Sequence, residues 1–389
     1  MTPAERADAE RIGRLLKEAR LARSLSQEGL AAHVGLSRST IKNVERGCRT
    51  AQATMVRLAE VLAVDVRQMI LGAPPVATHL NCWLSESMDP LQMTQRLQQV
   101  LSGAGGQLDQ GCLYFDNLGA MAWKRLAALP EYCRARDLLP LRAVADAIAA
   151  QCPTLPMDLI GLGCGDAAAE IRLTRYLRAI RGQAQLQLLD ISLPLLGHAH
   201  ATACAALGDG VEAHCGSFHD LPVYSHLHPS PGRTRVLCMF GGTFGNLENE
   251  ILWVKSTLAG YAPGDMLLLD VAKVRAPADQ PDQIRAADLR MRIGLPPVER
   301  EFLIGPIVHY GGFPADEIEL RPELDTSCCP VPGSYGVRQV ARVRGRRFGA
   351  ALIKRYEPRL LGEALEWLGW KPVDLFEEPQ DALVLLRKV

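Results

Sequence analysis

The sequence predicts two folded units of different class, a small all-helical domain followed by a larger α/β domain built on a mostly parallel sheet. Three stretches carry that prediction. Between Glu5 and Gly47 apolar residues recur at helical spacing, and serines stand where helices begin. Asp158 to Glu170 runs from an apolar stretch through Gly163-Cys164-Gly165 into a helical pattern, which reads as strand, tight turn and helix. A second apolar run, Leu186 to Leu189, then ends on Asp190. That places a carboxylate at the carboxyl end of a neighbouring parallel strand, the edge of an open α/β sheet where ligands bind.

Length and composition set the bounds. A chain of 389 residues has room for two or three domains and a sizeable core. With 48% apolar residues, and 43 Lys and Arg against 43 Asp and Glu, the bulk charge does not point to nucleic acid. The balance hides an asymmetry, since residues 1–71 carry 12 basic against 8 acidic side chains. No apolar run approaches the roughly 20 residues that span a bilayer, and the first residues alternate in charge. A cytoplasmic protein with no membrane contact is expected. The 11 cysteines show no C-x-x-C spacing and read as reduced, mostly buried residues.

Ile12, Leu15, Leu16 and Ala19 predict a first helix within residues 5–22. Ser26 and Ser37 are N-cap residues of two short helices, Gly35 fills the turn between them, and Leu30, Ala31, Val34, Leu36, Ile41 and Val44 pack the pair together. This helix-turn-helix resembles the Cro/C1-type (XRE) family, whose S-Q-x-x-L-A-x-x-x-G-(I/L/V)-S-x-x-x-I-x-x-x-E-x-G pattern it follows. Gly29 departs, because the family usually has a longer side chain there. The resemblance implies a five-helix unit over residues 1–72, completed by helices at 54–62 and 65–71, that binds double-stranded DNA. It places Gln27 against phosphate and Ser37, Arg38, Ser39, Lys42 and Asn43 at the major groove. Arg, Asn and Lys have the donors and acceptors for guanine, adenine and phosphate. A homodimer is expected, since such readers meet paired half-sites.

Residues 73–108 read as a linker, from Ala73-Pro74-Pro75 and Gly103-Ala104-Gly105-Gly106, with a short helix at 91–101. The α/β domain is then expected over 109–389, with its core at about 140–280 and a smaller domain inserted at about 285–350. Phe302 to Tyr310 and Tyr335 to Val343 both read as strands of that insertion. The chain ends in a helix within 356–370 and strands at 372–376 and 382–386.

The glycines of 163–165 let a ligand approach backbone N–H groups, and Asp190 can accept hydrogen bonds from a ribose diol. A tight turn with no ligand needs the same glycines, and the spacing is not that of dinucleotide binders. Val236 to Phe240 is a further buried strand opening on Gly241-Gly242, and Asn246 beyond it offers two donors and an acceptor, to a ligand or to its own turn. Six histidines lie between His198 and His228, without a recognised metal spacing; no metal is expected.

From about residue 110 the chain resembles the histidine-specific Nα-methyltransferases of ergothioneine biosynthesis. Phe115-Asp116, Gly119, Leu129-Pro130-Glu131-Tyr132 and Arg136 match one segment. Gly163-Cys164-Gly165, Asp190, Cys215-Gly216-Ser217-Phe218, Phe240 to Leu247 and Tyr261 to Asp270 follow in the family's order. The resemblance implies a Rossmann-like methyltransferase domain with S-adenosyl-L-methionine (SAM) as cofactor. It implies a cofactor site of Gly161, Gly163, Gly165, Asp190, Ser217, Phe218, Gly241 and Gly242. It also implies a substrate site at Asn246, Thr243, Phe115, Cys133, Ala351 and Ile353, with no assigned catalytic residue. In the family the last four positions are two tyrosines and an E-x-S pair, and all four have lost their polar groups here. A site without those partners cannot select histidine strongly. A small amine or amino acid other than histidine is therefore the expected methyl acceptor. The same losses, with Ser217 where the family has Asp, also fit a transcriptional regulator that senses SAM or a small molecule without turnover.

Overall fold

The computed structural model describes residues 3–23, 25–48, 54, 57–58, 61–62, 80–82, 90–152, 156–224, 232–274 and 295–389. The chain divides into two compact units, Met1–Ala77 and Thr78–Val389. The fold class is the one predicted, helical and then α/β.

In the first unit α1 (Pro3–Ala22), α2 (Gln27–Val34) and α3 (Arg38–Glu45) follow the predicted boundaries. Ser26 Oγ accepts from Gly29 N–H at 2.9 Å and Ser37 Oγ from Thr40 N–H at 3.1 Å, so both serines cap their helices. Gly35 ends α2 in the left-handed conformation, φ 62°. Leu16, Leu30, Ala31, Val34, Ile41, Val44, Leu58 and Leu62 form one buried cluster. A side chain at Gly13 would meet the Val44 carbonyl at 2.5 Å, so α1 crosses the end of α3 at backbone distance. The helix expected at 65–71 lies outside the described residues, as do residues 55, 56, 59 and 60 of the one expected at 54–62.

An ion pair is enclosed in this unit. Arg20, 6% exposed, donates to Glu45 Oε1 at 2.6 Å and to the Leu25 carbonyl at 2.6 Å, while Gln27 Nε2 donates to Glu45 Oε2 at 2.8 Å. One of the amide donors expected at phosphate is therefore engaged within the domain.

The second unit has two sheets. The large one has the order β1-β5-β4-β3-β6-β7-β12-β11, with β1 Leu80–Cys82, β3 Met157–Leu162, β4 Ala184–Asp190, β5 Val211–Cys215, β6 Thr234–Met239, β7 Met266–Ala272, β11 Trp370–Glu377 and β12 Asp381–Lys388. Its strands are parallel except for β12 and β11, which close it as an antiparallel pair. Every residue of β3 and of β6 is buried, as both faces of a covered parallel sheet require, including Asp158, Thr234 and Arg235 at their amino ends. The chain leaves β3 towards β4 on one side and later places β6 on its other side, so the carboxyl ends of β3 and β6 flank a crevice. The smaller sheet has the order β2-β10-β9-β8, from Gly105–Gln107, Arg346–Arg355, Tyr335–Val343 and Glu319–Asp325.

Two sequence expectations are corrected. Residues 90–108 are not a linker. β1 pairs with β5, β2 with β10, and α4 (Pro90–Ser102) buries Met93, Leu97 and Leu101 against Ile304, Ile307 and Phe348. Ala73-Pro74-Pro75 and Gly103-Ala104-Gly105-Gly106 gave the segment a linker composition. The second correction concerns 302–310, which is not a strand but part of a helix, Pro297–Gly311. A short apolar run has the same appearance in either element, and only the packing of Phe302, Leu303, Ile304 and Ile307 decides it.

Truncating Arg20 leaves Glu45 enclosed without its counter-charge. Arg20→Ala is predicted to cost about 3–5 kcal/mol, enough to open a unit of this size, and faster hydrogen exchange over residues 12–45 would report it. Glu45 is pushed up by burial, but the hydrogen bonds from Arg20 and Gln27 hold its carboxyl below the ordinary value. Its contribution is complete above the unfolded value and is lost as pH falls through the lower folded one. Acid below pH 4.5 should therefore open this unit in the native chain, and do so less in Glu45→Gln.

Candidate functional site

A cavity of about 910 Å³ opens at the carboxyl ends of the parallel strands. Gly163 and Gly165 form one wall, both in the left-handed region at φ 67° and 53°. Asp190 is 5% exposed, with Oδ2 accepting from Gly165 N–H and Oδ1 from Ser192 N–H, each at 2.8 Å. Gly163 N–H donates to the Leu189 carbonyl at 2.8 Å. The ends of β3 and β4 are thus tied together at the turn. Burial raises the Asp190 carboxyl, and the backbone N–H groups of Ser192, Gly165 and Ile191 oppose that rise.

Opposite the turn stand side chains from three other segments. A Cβ at Gly163 would lie 3.1 Å from Thr243 Cγ2 and 3.6 Å from Phe218 Cε1, and one at Gly165 would strike Trp123 Cη2 at 2.8 Å. Both positions therefore require glycine for conformation and for space. Trp123 comes from a helix, Asn117–Ala127, capped by Asp116, whose Oδ1 accepts from Gly119 N–H at 2.6 Å. Gly241 N–H donates to Asp270 Oδ2 at 2.8 Å, and Thr243 Oγ1 donates to the Phe240 carbonyl at 2.8 Å. Asn246 is half-buried on the cavity wall. Its side chain makes no hydrogen bond among the described residues, so it is not the self-satisfied turn residue that the sequence left open.

Of the expected site residues, Gly163, Gly165, Asp190, Ser217, Phe218, Gly241, Thr243 and Asn246 line this one cavity. The others do not. Gly161 lies inside β3, where a Cβ would fall 2.9 Å from Glu170 Cγ; its bareness makes room for that glutamate. Gly242, φ 73°, caps the turn Thr243–Asn246. Phe115 packs on the Tyr310 ring at 5.6 Å, and Cys133 Sγ donates to the Ala127 carbonyl at 3.5 Å. Ala351 belongs to an apolar cluster with Leu113, Ala122 and Phe302, and Ile353 is half-buried on β10. Ser217 Oγ accepts from His219 N–H at 3.1 Å as the cap of a short 3-10 turn.

Several lining residues were not foreseen. Tyr114, one place before Phe115, faces the cavity, and burial followed by the Asp190 charge pushes its phenol up. Trp123, Arg136, Glu170 and Glu248 also line it, as do Gln107 to Gly111 from the stretch taken for linker or its edge. Arg136 pairs with Asp166 and donates to the Ala127 carbonyl at 3.0 Å, fixing its helix (Pro130–Leu138) to the glycine turn. The tyrosine beside Phe115 was the one signal in the sequence; the rest depends on which helix face turns inward. Among the described residues no three His, Cys, Asp or Glu side chains converge as metal ligands, and His226 and His228 lie outside them.

Residues 16–68 match the family model described as Helix-turn-helix, and residues 93–287 match that described as Histidine-specific methyltransferase, SAM-dependent. No curated protein matches the chain. Solved structures similar to it include magnesium protoporphyrin IX methyltransferase from Synechocystis PCC 6803 with bound S-adenosylhomocysteine (SAH). That match has 13% identity and a TM-score of 0.41, and covers 71% of this chain and 97% of that one. Another is a SAM dependent methyltransferase from Aquifex aeolicus, at 12% identity and TM-score 0.38, covering 69% and 98%. The chain belongs to the histidine-specific, SAM-dependent methyltransferase family.

Burial, ahead of nearby carboxylates, pushes Glu170 up to about 8 and Asp270 up to about 7. Such groups bind protons in the folded state that the unfolded state has released, so stability falls as pH rises from about 4.5 towards 8. Each contributes at most about 1.4 kcal/mol per pH unit. All five tryptophans lie in the second unit, so tryptophan fluorescence during urea unfolding reads that unit alone. Glu170→Gln should flatten the decline between pH 5.5 and 8; an unchanged slope would remove Glu170 as its source.

Proposed function

We propose that this methyltransferase transfers the SAM methyl group to the nitrogen of a small amine or amino acid other than histidine, and that its helix-turn-helix unit binds double-stranded DNA. The observation that carries the substrate reading is the fate of Phe115, Cys133, Ala351 and Ile353. The resemblance implies polar groups at these positions in the histidine enzymes, and here the cavity lining draws none from them.

Support for the cofactor comes from the Gly163–Gly165 turn, Asp190 and Phe218 around one cavity at the sheet's switch point. Its volume is near the upper end of the roughly 300–1,000 Å³ of ligand pockets, room for a nucleoside-sized cofactor and a small second ligand. Asn246 and Tyr114 bring polar groups that can orient an amino or carboxylate group. Asp109 and Asp220 add carboxylates to the same lining. In the transfer the neutral amine nitrogen forms the new N–C bond as the S–CH3 bond breaks. SAH leaves with the sulfur electron pair, and the new ammonium loses its proton afterwards. Alignment, not a nucleophilic side chain, is what the protein must supply.

For DNA, the support is the outer face of α3. Arg38, Ser39, Lys42 and Asn43 are exposed there, while Ile41 and Val44 are buried. Arg38 pairs with Glu28 at 2.8 Å, both largely exposed, a pair weak enough to yield to a nucleic acid. Ser217 favours a second reading, a regulator that binds SAM without turnover, because its hydroxyl accepts from the chain and its side chain is shorter than the carboxylate it replaces.

Calorimetry with SAH is expected to give binding that Asp190→Asn weakens by about 10–100-fold, as loss of hydrogen bonds to a charged group predicts. With labelled SAM, SAH should accumulate with a non-histidine amine and not with histidine; SAH formation with histidine alone would reject the substrate reading. Turnover with no amine, together with operator affinity that changes when SAM is added, would favour the regulator. Lys42→Ala should weaken DNA binding about equally across sequences and lower its salt dependence by about one counterion.

A further inference from the structure

The turn joining β8 to β9 carries two adjacent cysteines. Cys328 Sγ and Cys329 Sγ lie 3.9 Å apart, both half-buried, whereas Cys112, Cys152, Cys164, Cys204, Cys215 and Cys238 are buried. Each sulfur also lies within hydrogen-bond reach of one acceptor, the Asp325 carbonyl, at 3.8 and 3.6 Å. Space is kept for them at Gly336, where a Cβ would fall 3.2 Å from Cys328 Sγ. The hydrogen bond from Cys328, then the Lys354 ammonium and the Ser334 hydroxyl, hold the Cys329 thiol below its ordinary value against burial, while Cys328 is pushed up. One sulfur is thus the readier nucleophile, and the other remains a thiol beside it.

The same turn is connected to the cavity. The Asp325 carboxylate accepts from Ser327 N–H at 3.0 Å and from Arg338 Nε at 2.9 Å. Arg338, 8% exposed, donates from Nη1 and Nη2 to the two oxygens of Glu248 at 2.9 and 3.0 Å. Glu248 lines the cavity two residues beyond Asn246.

We propose that Cys328 and Cys329 are an oxidation site, at which a hydroperoxide converts the two thiols to a vicinal disulfide and the change reaches the cavity through Asp325, Arg338 and Glu248. The Cys329 thiolate attacks a peroxide oxygen, giving a sulfenic acid and hydroxide, or an alkoxide from an organic hydroperoxide, which takes up a proton. Cys328 then attacks the sulfenic sulfur, forming the S–S bond and releasing water. Two electrons pass from the thiols to the peroxide. Bonding requires the sulfurs to close to about 2.05 Å, which leaves neither sulfur an S–H to donate to the Asp325 carbonyl. Adjacent Cα atoms, about 3.8 Å apart, are nearer than the 4.4–6.8 Å of ordinary disulfides. The bond is therefore strained and readily reduced, the property of labile rather than structural disulfides.

The test treats the full chain with hydrogen peroxide and then alkylates it, and mass spectrometry reads the peptide holding both cysteines. Wild type should lose two hydrogens and resist alkylation until reduced. Cys328→Ser should trap a sulfenic acid at Cys329, labelled by dimedone, and Cys329→Ser should leave Cys328 alkylatable. Two alkylatable thiols in wild type, at a dose that oxidises a free Cys-Cys peptide, would overturn the site. Coupling to the cavity rests on the proposed cofactor site, so reduced protein is first shown to bind SAH. Oxidation should then change that affinity at least about fivefold in wild type, and not in Cys328→Ala/Cys329→Ala. A formed disulfide with unchanged affinity overturns the coupling alone.

Discussion

The Asp190 carboxylate, accepting from Gly165 N–H and from Ser192 N–H, is the contact on which the site depends. A glycine turn with two left-handed residues would otherwise sample many conformations. One buried anion with an oxygen on each side fixes it against the start of the next helix. The carboxyl end of β3 is thereby held at a set distance from that of β4, and the crevice towards β6 keeps its shape. The carboxylate that ties the turn is also part of the cavity lining, so the shape of the pocket and the charge within it come from the same group.

The opposite wall is held by β10. This strand forms the middle of the small sheet, and Lys354 reaches across to donate to the Glu248 carbonyl at 3.1 Å while pairing with Glu250. Lys354 and Glu250 are 1% and 0% exposed. Ions so enclosed contribute little net stability over an apolar pair, yet neither can be removed singly without a large cost. Their effect is positional, since they fix the segment carrying Asn246 and Glu248 on the sheet that carries Arg338 and leads into the Cys328–Cys329 turn.

The helical unit uses the same device on a smaller scale. Arg20 and Glu45 are enclosed where α1 passes the end of α3, and Gly13 lets the two backbones approach closely. The polar groups of α3 that face outward remain exposed. The inner pair fixes the angle of the helix without drawing on its outer face.

By itself the sequence determined the local elements and the edge at which ligands would sit. Serine caps, the glycine turn and apolar runs ending on Asp190 and Gly241 are short-range features, and the spacing of side chains along one element expresses them directly. It also carried both families, through motif order. What only the tertiary structure decided was which residues meet. Helix Pro90–Ser102 reads from the sequence as a short helix between Pro- and Gly-rich stretches, and it becomes core only against Ile304 and Phe348. Phe302 to Tyr310 reads equally as strand or helix until its neighbours choose. Tyr114 rather than Phe115 faces the cavity, and Ala351 faces away from it, because a rotation of one residue about an element moves a side chain between ligand and core. No pattern along a single chain records that phase; packing of elements distant in sequence sets it.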